Sequence, residues 1–419
     1  LDAPPRRRHL SGQMTLPAPL AYPAFRAYLA GNFAGLNGMW ILRVAMGWLA
    51  WDLTGSAAIT GMVAFLNFAP TLVSGPVFGV LADRIDPRHG LVATQSLQFL
   101  LAVILCVMAA QEAISTPALL VMSLGIGLAA SAYHPLRMTL APRLIPREAL
   151  TQAVAMTALN FNCTRMLGPA VGGWLLAHHG SEITIGLAAA LFLPQIFSFA
   201  TMPAMPPVRA AGGEGPPRGW LAGIATEMAE GARYVADHPM IRDAILLTAV
   251  VSLPARGALE LLPVAADGLY GQGAGGFGAL TATAGGGAVV AAIWLARGKP
   301  GVAQMRRRAM VCAAISLACV ALLGLLESWP AAIALVAGLG FLGTAVGVSN
   351  QTIAQTETSD GRRGRVMSLW LLVAIGGTSL GAIGIGVLSD LVGIRTALLA
   401  VTTVAAIGLA AIWRFSARG

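Results

Sequence analysis

Charged residues are scarce in this sequence. Asp, Glu, Lys and Arg together make up 11% of its 419 residues, whereas soluble domains carry about 25%. A chain with so little charge lacks the polar surface that a folded domain needs in water. The composition therefore excludes an ordinary soluble domain and indicates a membrane protein.

Lysine is nearly absent: the single one, Lys299, is followed by Pro300. A phosphate-binding P-loop needs a Gly-Lys-Ser or Gly-Lys-Thr sequence. We therefore predict no ATP site and no bound cofactor. As the source of energy we expect an ion gradient, taken to be that of protons, or the gradient of a substrate itself.

Cysteine is also rare. The four cysteines lie inside apolar segments, and none has a second cysteine at the Cys-x-x-Cys spacing; they are Cys106, Cys163, Cys312 and Cys319. Isolated cysteines of this kind favour neither a disulfide nor a metal site. We therefore predict no metal centre, and the sequence offers no Ser/His/Asp arrangement for catalysis, so no enzyme is expected.

Apolar residues and glycine are abundant, at 56% and 50 residues respectively. A membrane-spanning helix needs about 20 apolar residues, and small residues let such helices approach closely. We predict an all-α polytopic membrane protein with 12 transmembrane helices, at residues 25–52, 57–82, 90–111, 116–138, 150–178, 183–203, 241–266, 275–297, 307–326, 330–354, 365–389 and 394–414.

A single long hydrophilic stretch divides these spans into two groups of six. Residues 204–240 are predicted as a cytoplasmic linker whose first part is flexible and whose second part is a short helix on the membrane surface. The predicted bundles are residues 25–203 and 241–414. Residues 1–24 form a predicted cytoplasmic arm and residues 415–419 a cytoplasmic tail.

The formal net charge of +9 could suggest nucleic-acid binding, but the placement of the charges argues against it. Basic residues collect in alternate loops, while the opposite loops hold acidic residues and one arginine, Arg395. Membrane proteins keep Lys and Arg in cytoplasmic loops. Both termini are therefore predicted to be cytoplasmic, and the expected partner is the lipid bilayer rather than a nucleic acid.

The two groups of spans repeat. Residues 166–175 (MLGPAVGGWL) align with residues 379–388 (SLGAIGIGVL), an offset of 213 residues, and the same offset places Arg43 on Arg256. Two six-helix halves related in this way are typical of one large transporter class, in which the binding site lies between the halves near the middle of the membrane.

One polar stretch, residues 75–90, joins the second and third predicted spans. It contains Gly79, Asp83, Arg84 and Arg88. Asp83 ends its own helix, where a negative charge opposes the helix dipole, so it needs a partner. We predict a conformational latch here that closes the cytoplasmic side.

Two partners for this latch are expected. The repeat places the start of the eleventh span, at Arg365, across the interface, where Asp83 would cap it. Arg137, at the cytoplasmic end of the fourth span, would compensate the charge of Asp83.

Two motifs carry a family resemblance. Residues 79–88 (GVLADRIDPR) resemble the loop between helices 2 and 3 of the major facilitator superfamily. Residues 135–150 (PLRMTLAPRLIPREAL), followed by Arg165 and residues 168–173 (GPAVGG), are similar to a bacterial exporter branch that includes enterobactin exporters and macrolide efflux proteins. The resemblance covers nearly the whole chain and implies a bacterial inner-membrane transporter. It departs from related exporters at Val121, where they carry an arginine.

Four ionisable residues lie inside predicted spans: Arg43, Arg165, Arg256 and Glu260. Such residues cost about 2.5–3.5 kcal/mol each on insertion scales and are functional candidates by default. Arg256 and Glu260 are four residues apart and are expected to pair. One interpretation is a structural ion pair with two arginines reaching the interface. The other is a central cavity that attracts an anionic or polar group, with Glu260 exchanging protons.

Polar side chains and a glycine-rich stretch complete the candidate set. Asn37, Asn160 and Asn350 are predicted to line the substrate path, although hydrogen bonds between helices would also explain them. Gly168, Pro169, Gly172 and Gly173 would let the fifth helix bend and approach the other half. The resemblance implies that this helix-5 hinge seals the outer side.

Together these features predict a secondary active transporter, a proton-coupled exporter of a small amphiphilic molecule such as a siderophore, drug or secondary metabolite, acting as a monomer by alternating access. An importer or facilitator of a polar metabolite is the alternative within transport. A transport-inactive membrane scaffold or sensor is the alternative outside it.

Overall fold

The computed structural model describes residues 18–82, 85–140, 143–203, 220–298, 300–359 and 362–416, and their regular structure is entirely helical. The predicted all-α class is confirmed. In chain order the helices are α1 (Pro23–Thr54), α2 (Ala57–Ala82), α3 (Pro87–Ala110), α4 (Thr116–Leu140), α5 (Leu150–Ala200), α6 (Trp220–Asp237), α7 (Pro239–Val251), α8 (Gly257–Glu260), α9 (Gly273–Ala296), α10 (Val302–Leu325), α11 (Trp329–Thr356), α12 (Arg363–Val392) and α13 (Ile394–Ser416).

Eight helices within the described ranges are long and apolar enough to cross a membrane. They are α3, α4, α5, α9, α10, α11, α12 and α13. The helices form a bundle with two ends. We call the end where α1 leads into α2 the α1–α2 end, and the end where α2 leads into α3 the α2–α3 end.

Helix α5 covers two predicted spans. Its 51 residues exceed the thickness of a bilayer core, and its backbone leaves helical geometry at Gly180 (φ 78°, ψ 178°). A positive φ of this size suits glycine, which has no Cβ to clash. Gly180 therefore separates a first arm, residues 150–179, from a second arm, residues 181–200.

The segment after α7 contains two wide turns. Ser252–Arg256 and Val264–Leu269 are π-helical, and the short helix α8 lies between them. Pro254 falls within the first π-turn, where it cannot donate a backbone hydrogen bond. Such turns change the direction of the side chains that follow, and they occur often at functional sites.

The repeat is visible in the packing. A Cβ placed on Gly168 would lie 2.6 Å from the Cβ of Trp40, and a Cβ placed on Gly381 would lie 2.0 Å from the carbonyl oxygen of Leu253. Both residues of the second contact follow those of the first by 213 positions. The contact of α1 with α5 and the contact of the π-turn Ser252–Arg256 with α12 therefore use the same glycine position.

Close glycine contacts also join helices from the two sequence repeats. A Cβ on Gly61 of α2 would lie 2.4 Å from the carbonyl oxygen of Ala382 of α12, and a Cβ on Gly386 would lie equally close to that of Ala57. Glycine permits such backbone approach between helices. The start of α2 and the second half of α12 thus pack closely near the α1–α2 end.

The linker helix α6 docks against the bundle. Tyr234 and Val235 pack with Ile241, Ile245 and Val366, which belong to α7 and α12. The helix was expected to lie on the membrane surface. Through Tyr234 and Val235 it covers the apolar starts of α7 and α12 at the α2–α3 end, and its place on the membrane surface stays a prediction.

Candidate functional site

A cavity of about 360 Å³ lies between helices of both repeats. Its walls come from α1, α2, the first arm of α5, the segment around α8, α9, α11 and α12. All four ionisable residues singled out in the sequence line it, together with neutral polar and aromatic side chains: Arg43, Arg165, Arg256, Glu260, Thr60, Asn67, Thr281, Thr378, Trp40, Phe68, Phe161 and Phe277. Volumes of this size are typical of small-molecule sites.

Glu260 pairs with Arg43. The Nη2 atom of Arg43 donates to Oε2 of Glu260 at 3.0 Å, and both side chains keep only about a fifth of their surface exposed. This bond joins α1 to α8 across the two repeats. An ion pair at Glu260 therefore connects the first repeat to the second.

The expected pairing of Glu260 with Arg256 was wrong. No ion pair between these two residues occurs in the structure, although they are four positions apart. Arg256 ends the π-turn Ser252–Arg256 and Glu260 ends α8. The Glu260 carboxylate is bonded instead to Arg43 of α1, a partner from another helix that the spacing within one helix does not reveal. Arg43 takes the place expected for Arg256.

Aromatic rings surround the Arg43 guanidinium. Its Cζ lies 3.8 Å from the centre of the Phe68 ring and 5.7 Å from that of Trp40. Trp40 also contacts Phe161 edge to face, with ring centres 6.1 Å apart. The planar guanidinium suits such stacking, so one wall of the cavity is both cationic and aromatic.

Arg256 and Arg165 differ from Arg43. Neither has an ion pair with a described residue, and both are half-buried in the cavity wall. A Cβ placed on Gly347 of α11 would lie 2.9 Å from Nη2 of Arg256. Glycine at this position therefore makes room for the Arg256 guanidinium beside the cavity.

The cavity carries a net positive charge. Among its described lining residues, three arginines face one glutamate, so the formal net charge is +2. Charges in a partly buried site are less screened than in bulk water, so they act on one another and on any ligand. The arrangement favours an anion.

The three candidate asparagines lie elsewhere, outside the cavity lining. Asn37 donates to the carbonyl of Phe33 within α1, Asn160 donates to that of Leu29, and Asn350 donates to the hydroxyl of Thr248. The amide N–H groups of these asparagines thus take part in helix packing, whereas the buried Oδ1 atoms of Asn160 and Asn350 have no hydrogen-bond partner among the described residues. Their place in a substrate path stays a prediction. Asn67 is the asparagine that lines the cavity.

The residues of the predicted helix-5 hinge contact different neighbours. Gly168 and Gly172 contact α1, and Pro169 lines the cavity. Gly173 contacts α9, where a Cβ would lie 2.0 Å from the Cα of Gly278. The expected close approach to the other repeat is thus present, whereas the non-helical residue inside α5 is Gly180.

The predicted latch is described in part. Asp83 and Arg84 lie outside the described residues, and Gly79 belongs to α2. Arg88 donates to the carbonyl of Ala200 at the end of α5, a common use of arginine at a helix C-terminus.

The other two latch candidates have partners of their own. Arg137 is buried, with its Cζ 5.8 Å from the ring centre of Tyr133 and 5.9 Å from that of Phe161. Arg365 pairs with Glu230 of α6 at 2.7 Å. The start of α12 is thus bonded to the linker helix.

Aromatic contacts close the cavity toward the α1–α2 end. Trp48 of α1 stacks on Phe277 of α9, with ring centres 6.3 Å apart. Farther out, Nε1 of Trp51 donates to Oδ2 of Asp267 at 2.8 Å. Both contacts join one repeat to the other.

A carboxylate completes this closure. Asp390, near the end of α12, accepts hydrogen bonds from the hydroxyl of Ser56 at 2.5 Å and from the backbone N–H groups of Ala57 and Ala58 at 2.8 and 3.2 Å. It therefore caps the N-terminus of α2 from the other repeat. This role of Asp390 was not predicted from the sequence, because its partners lie more than 300 residues away.

Comparisons with known proteins agree with this geometry. A sequence model of the transmembrane secretion effector family matches residues 14–418. The enterobactin exporter EntS of Shigella boydii serotype 4 (strain Sb227) is 28% identical over 366 residues, 87% of this chain and 85% of that protein. EntS of Escherichia coli O139:H28 (strain E24377A / ETEC) has the same identity and coverage.

Solved structures share the fold. A bacterial homolog of the human lysosomal transporter Spinster, in an inward-facing and unoccupied conformation, has a TM-score of 0.71 at 15% identity, covering 93% of this chain and 96% of that chain. A POT family transporter in complex with 5-aminolevulinic acid has a TM-score of 0.71 at 14% identity, covering 95% and 96%. At these identities the likeness concerns the fold alone.

Proposed function

This chain belongs to the transmembrane secretion effector family, and from that membership we propose that it exports a small amphiphilic molecule of the siderophore type by alternating access. It is a multi-pass transporter of the bacterial inner membrane rather than an enzyme. The observation that carries the proposal is the cavity between the two repeats, which gathers Arg43, Arg165, Arg256 and Glu260 in one place.

The topology that we propose has 12 spans in two six-helix halves. Besides the helices already counted as long and apolar, α5 supplies a second span beyond Gly180, and α1, α2 and the segment from α7 to residue 269 supply the others. The distribution of arginine supports cytoplasmic termini. The α1–α2 end then faces the periplasm.

In this topology the structure is closed toward the periplasm. The Trp48–Phe277 stack, the Trp51–Asp267 bond and the Asp390 cap all lie between the cavity and the periplasmic face. A substrate would load from the cytoplasm, and these contacts would break for release. That order suits an exporter.

We place proton coupling at Glu260, the carboxylate that lines the cavity and pairs with Arg43 across the halves. Protonation would remove the charge that holds this pair, and so loosen one contact between α1 and α8. Glu260→Gln should therefore lose the pH dependence of transport. A variant that exports at the wild-type rate with the wild-type pH dependence would exclude this role.

The enterobactin exporters among the relatives support a siderophore-like substrate and an outward direction of transport. They favour export over the import of a polar metabolite and over a transport-inactive scaffold. The aromatic and cationic cavity wall is compatible with an amphiphilic molecule, since it offers both apolar surface and charge.

Metabolite profiling tests the proposal. Cells with and without the gene are compared for small molecules inside the cell and in the medium. We expect a siderophore-like compound to accumulate inside the deletion strain and to return to the medium when the wild-type gene is restored. Equal distributions in both strains, under conditions in which the protein is made, would contradict export.

A further inference from the structure

The cavity contains two arginines that no described residue neutralises. Arg43 already shares its charge with Glu260, whereas Arg165 and Arg256 have no ion pair within the described ranges. Arg256 lies within electrostatic range of both Arg165 and Glu260, and Arg165 within range of Glu260 and Arg43. The four charges thus form one cluster with two unmatched cations.

Unmatched cations in a half-buried site are costly. Each loses part of its hydration, and the two repel each other where the effective dielectric is low. A bound anion would relieve both costs at once, and a planar guanidinium can donate two parallel hydrogen bonds to an anionic group. The site therefore selects for negative charge.

Aromatic rings line the same cavity as these arginines. Phe161 and Trp40 contact each other edge to face, and Phe68 lies under the Arg43 guanidinium. Aromatic rings of this kind bind flat apolar groups by stacking. The cavity that holds Arg165 and Arg256 thus also offers aromatic surface for a ring.

We propose that the transported molecule is an aromatic anion whose negative group binds Arg165 and Arg256 and whose ring packs on Trp40, Phe68 and Phe161. This inference rests on the proposed export function and names the chemical class of its substrate. Because an anion leaving the cell moves down the membrane potential, which is negative inside, the electrical gradient favours its export.

Glu260 lies in the same cavity as these arginines and affects the binding of an anion there. Its carboxylate and the substrate anion are both attracted to the same arginines, so they compete. Neutralising Glu260 raises the net charge of the cavity from +2 to +3 and should strengthen anion binding. A cationic substrate would show the opposite response, since it would lose its one attractive partner.

Binding of three matched compounds tests this inference. They are 1-naphthoate, 1-naphthylmethanol and 1-naphthylmethylammonium, which share one ring system and carry a charge of −1, 0 and +1. Isothermal titration calorimetry is done on the purified full-length protein in lipid nanodiscs. We expect the wild-type protein to bind the anion most tightly and the cation most weakly.

Two variants determine where the charge acts. Glu260→Gln should tighten naphthoate binding about 5-fold or more, at the low end of couplings between sites, and should leave naphthylmethanol unchanged. Arg256→Gln should weaken naphthoate binding about tenfold or more, the loss expected for one charged hydrogen bond.

Matched controls lie at the α1–α2 end. Glu327 pairs with Arg395 at 3.0 Å, as Glu260 pairs with Arg43, but both residues of that pair are more exposed. Glu327→Gln and Arg395→Gln should leave the affinities for all three compounds unchanged. Thermal unfolding of each variant establishes that it is folded.

Several results would overturn the inference. Equal binding of the three compounds would exclude charge selection, and weaker naphthoate binding by folded Glu260→Gln would exclude competition. The proposed export function fails separately, when metabolite profiles do not change with the gene. If the Arg256→Gln variant still exports a neutral or cationic compound, the export function is supported and the proposal of an anionic substrate is refuted.

Discussion

Asp390→Ala should open the periplasmic side of the protein more often. The Asp390 carboxylate accepts three hydrogen bonds at the start of α2, from the hydroxyl of Ser56 and from the backbone N–H groups of Ala57 and Ala58. In the proposed topology α2 and α12 belong to different halves. The carboxylate must therefore leave α2 whenever the halves separate on that side.

The size of the effect follows from what the carboxylate does at a helix N-terminus. Replacing a capping Asp with Ala costs about 1 kcal/mol, and removing a negative charge there costs about 0.3–1 kcal/mol at an exposed site. Asp390 is exposed, so we take a sum of about 1–2 kcal/mol. The ratio of open to closed protein should rise about 5–30-fold.

Distances between spin labels report this ratio. The labels are attached to cysteines introduced at Gln111 and Ser328, two exposed positions at the α1–α2 end in different repeats, in a background in which the four native cysteines are serine. Double electron–electron resonance in nanodiscs then gives the distance distribution. Asp390→Ala should add or enlarge a population at longer distance.

A matched variant controls for charge alone. Asp52 is exposed at the same end, and the structure shows no hydrogen bond or ion pair for it within the described ranges. Asp52→Ala should leave the distribution unchanged. If Asp390→Ala behaves like Asp52→Ala, the carboxylate does not hold the periplasmic side closed and the reasoning is refuted.

Two further predictions concern helix packing. Gly173→Ala should shift the protein toward separation of α5 and α9, because the added Cβ would meet Gly278 at 2.0 Å. Gly286→Ala should cause no such shift, because no atom lies within 4 Å of its Cβ. Spin-label distances between the two helices measure the separation, and equal shifts in both variants would contradict the prediction. Asn160→Ala and Asn350→Ala should each lower the free energy of unfolding by about 0.6 kcal/mol, the average for such hydrogen bonds in membranes, and should change export little. A large export defect in a variant of wild-type stability would instead place these asparagines in the substrate path.

The helical class could be predicted from composition alone, since long apolar runs in a chain with few charges leave few alternatives. The points at which a helix continues or breaks could not be predicted in this way. The sequence shows a polar break near His178 and Gly180, yet the backbone stays helical on both sides and turns only at Gly180. Hydropathy reports which residues prefer lipid, and it does not report backbone dihedral angles.

The residues of the candidate site could be predicted from the sequence, whereas the partner of Glu260 could not. Charges inside apolar runs are costly enough to attract attention, and the 213-residue repeat related Arg43 to Arg256. The pairing depended on the packing of α1 beside α8, which brings Arg43 to Glu260 from 217 residues away. The four-residue spacing within one helix suggested Arg256 as the partner of Glu260, whereas Arg43 holds it.

The periplasmic closure was the least predictable part. Asp390 and Asp267 lie at the ends of apolar segments, where acidic residues are common and need no special explanation. Their partners at Ala57 and Trp51 are 333 and 216 residues away. Only the packing of α2 on α12, and of α1 beside the second π-turn, brings these groups together.

Export through the arginine-lined cavity is the central claim, and transport into inside-out membrane vesicles tests it most directly. Such vesicles expose the cytoplasmic face, so an exporter accumulates its substrate within them. With enterobactin as the test compound, vesicles containing the wild-type protein or Glu327→Gln should accumulate it, and vesicles containing folded Arg165→Gln/Arg256→Gln should not. Accumulation by the double variant at the wild-type rate would contradict the account.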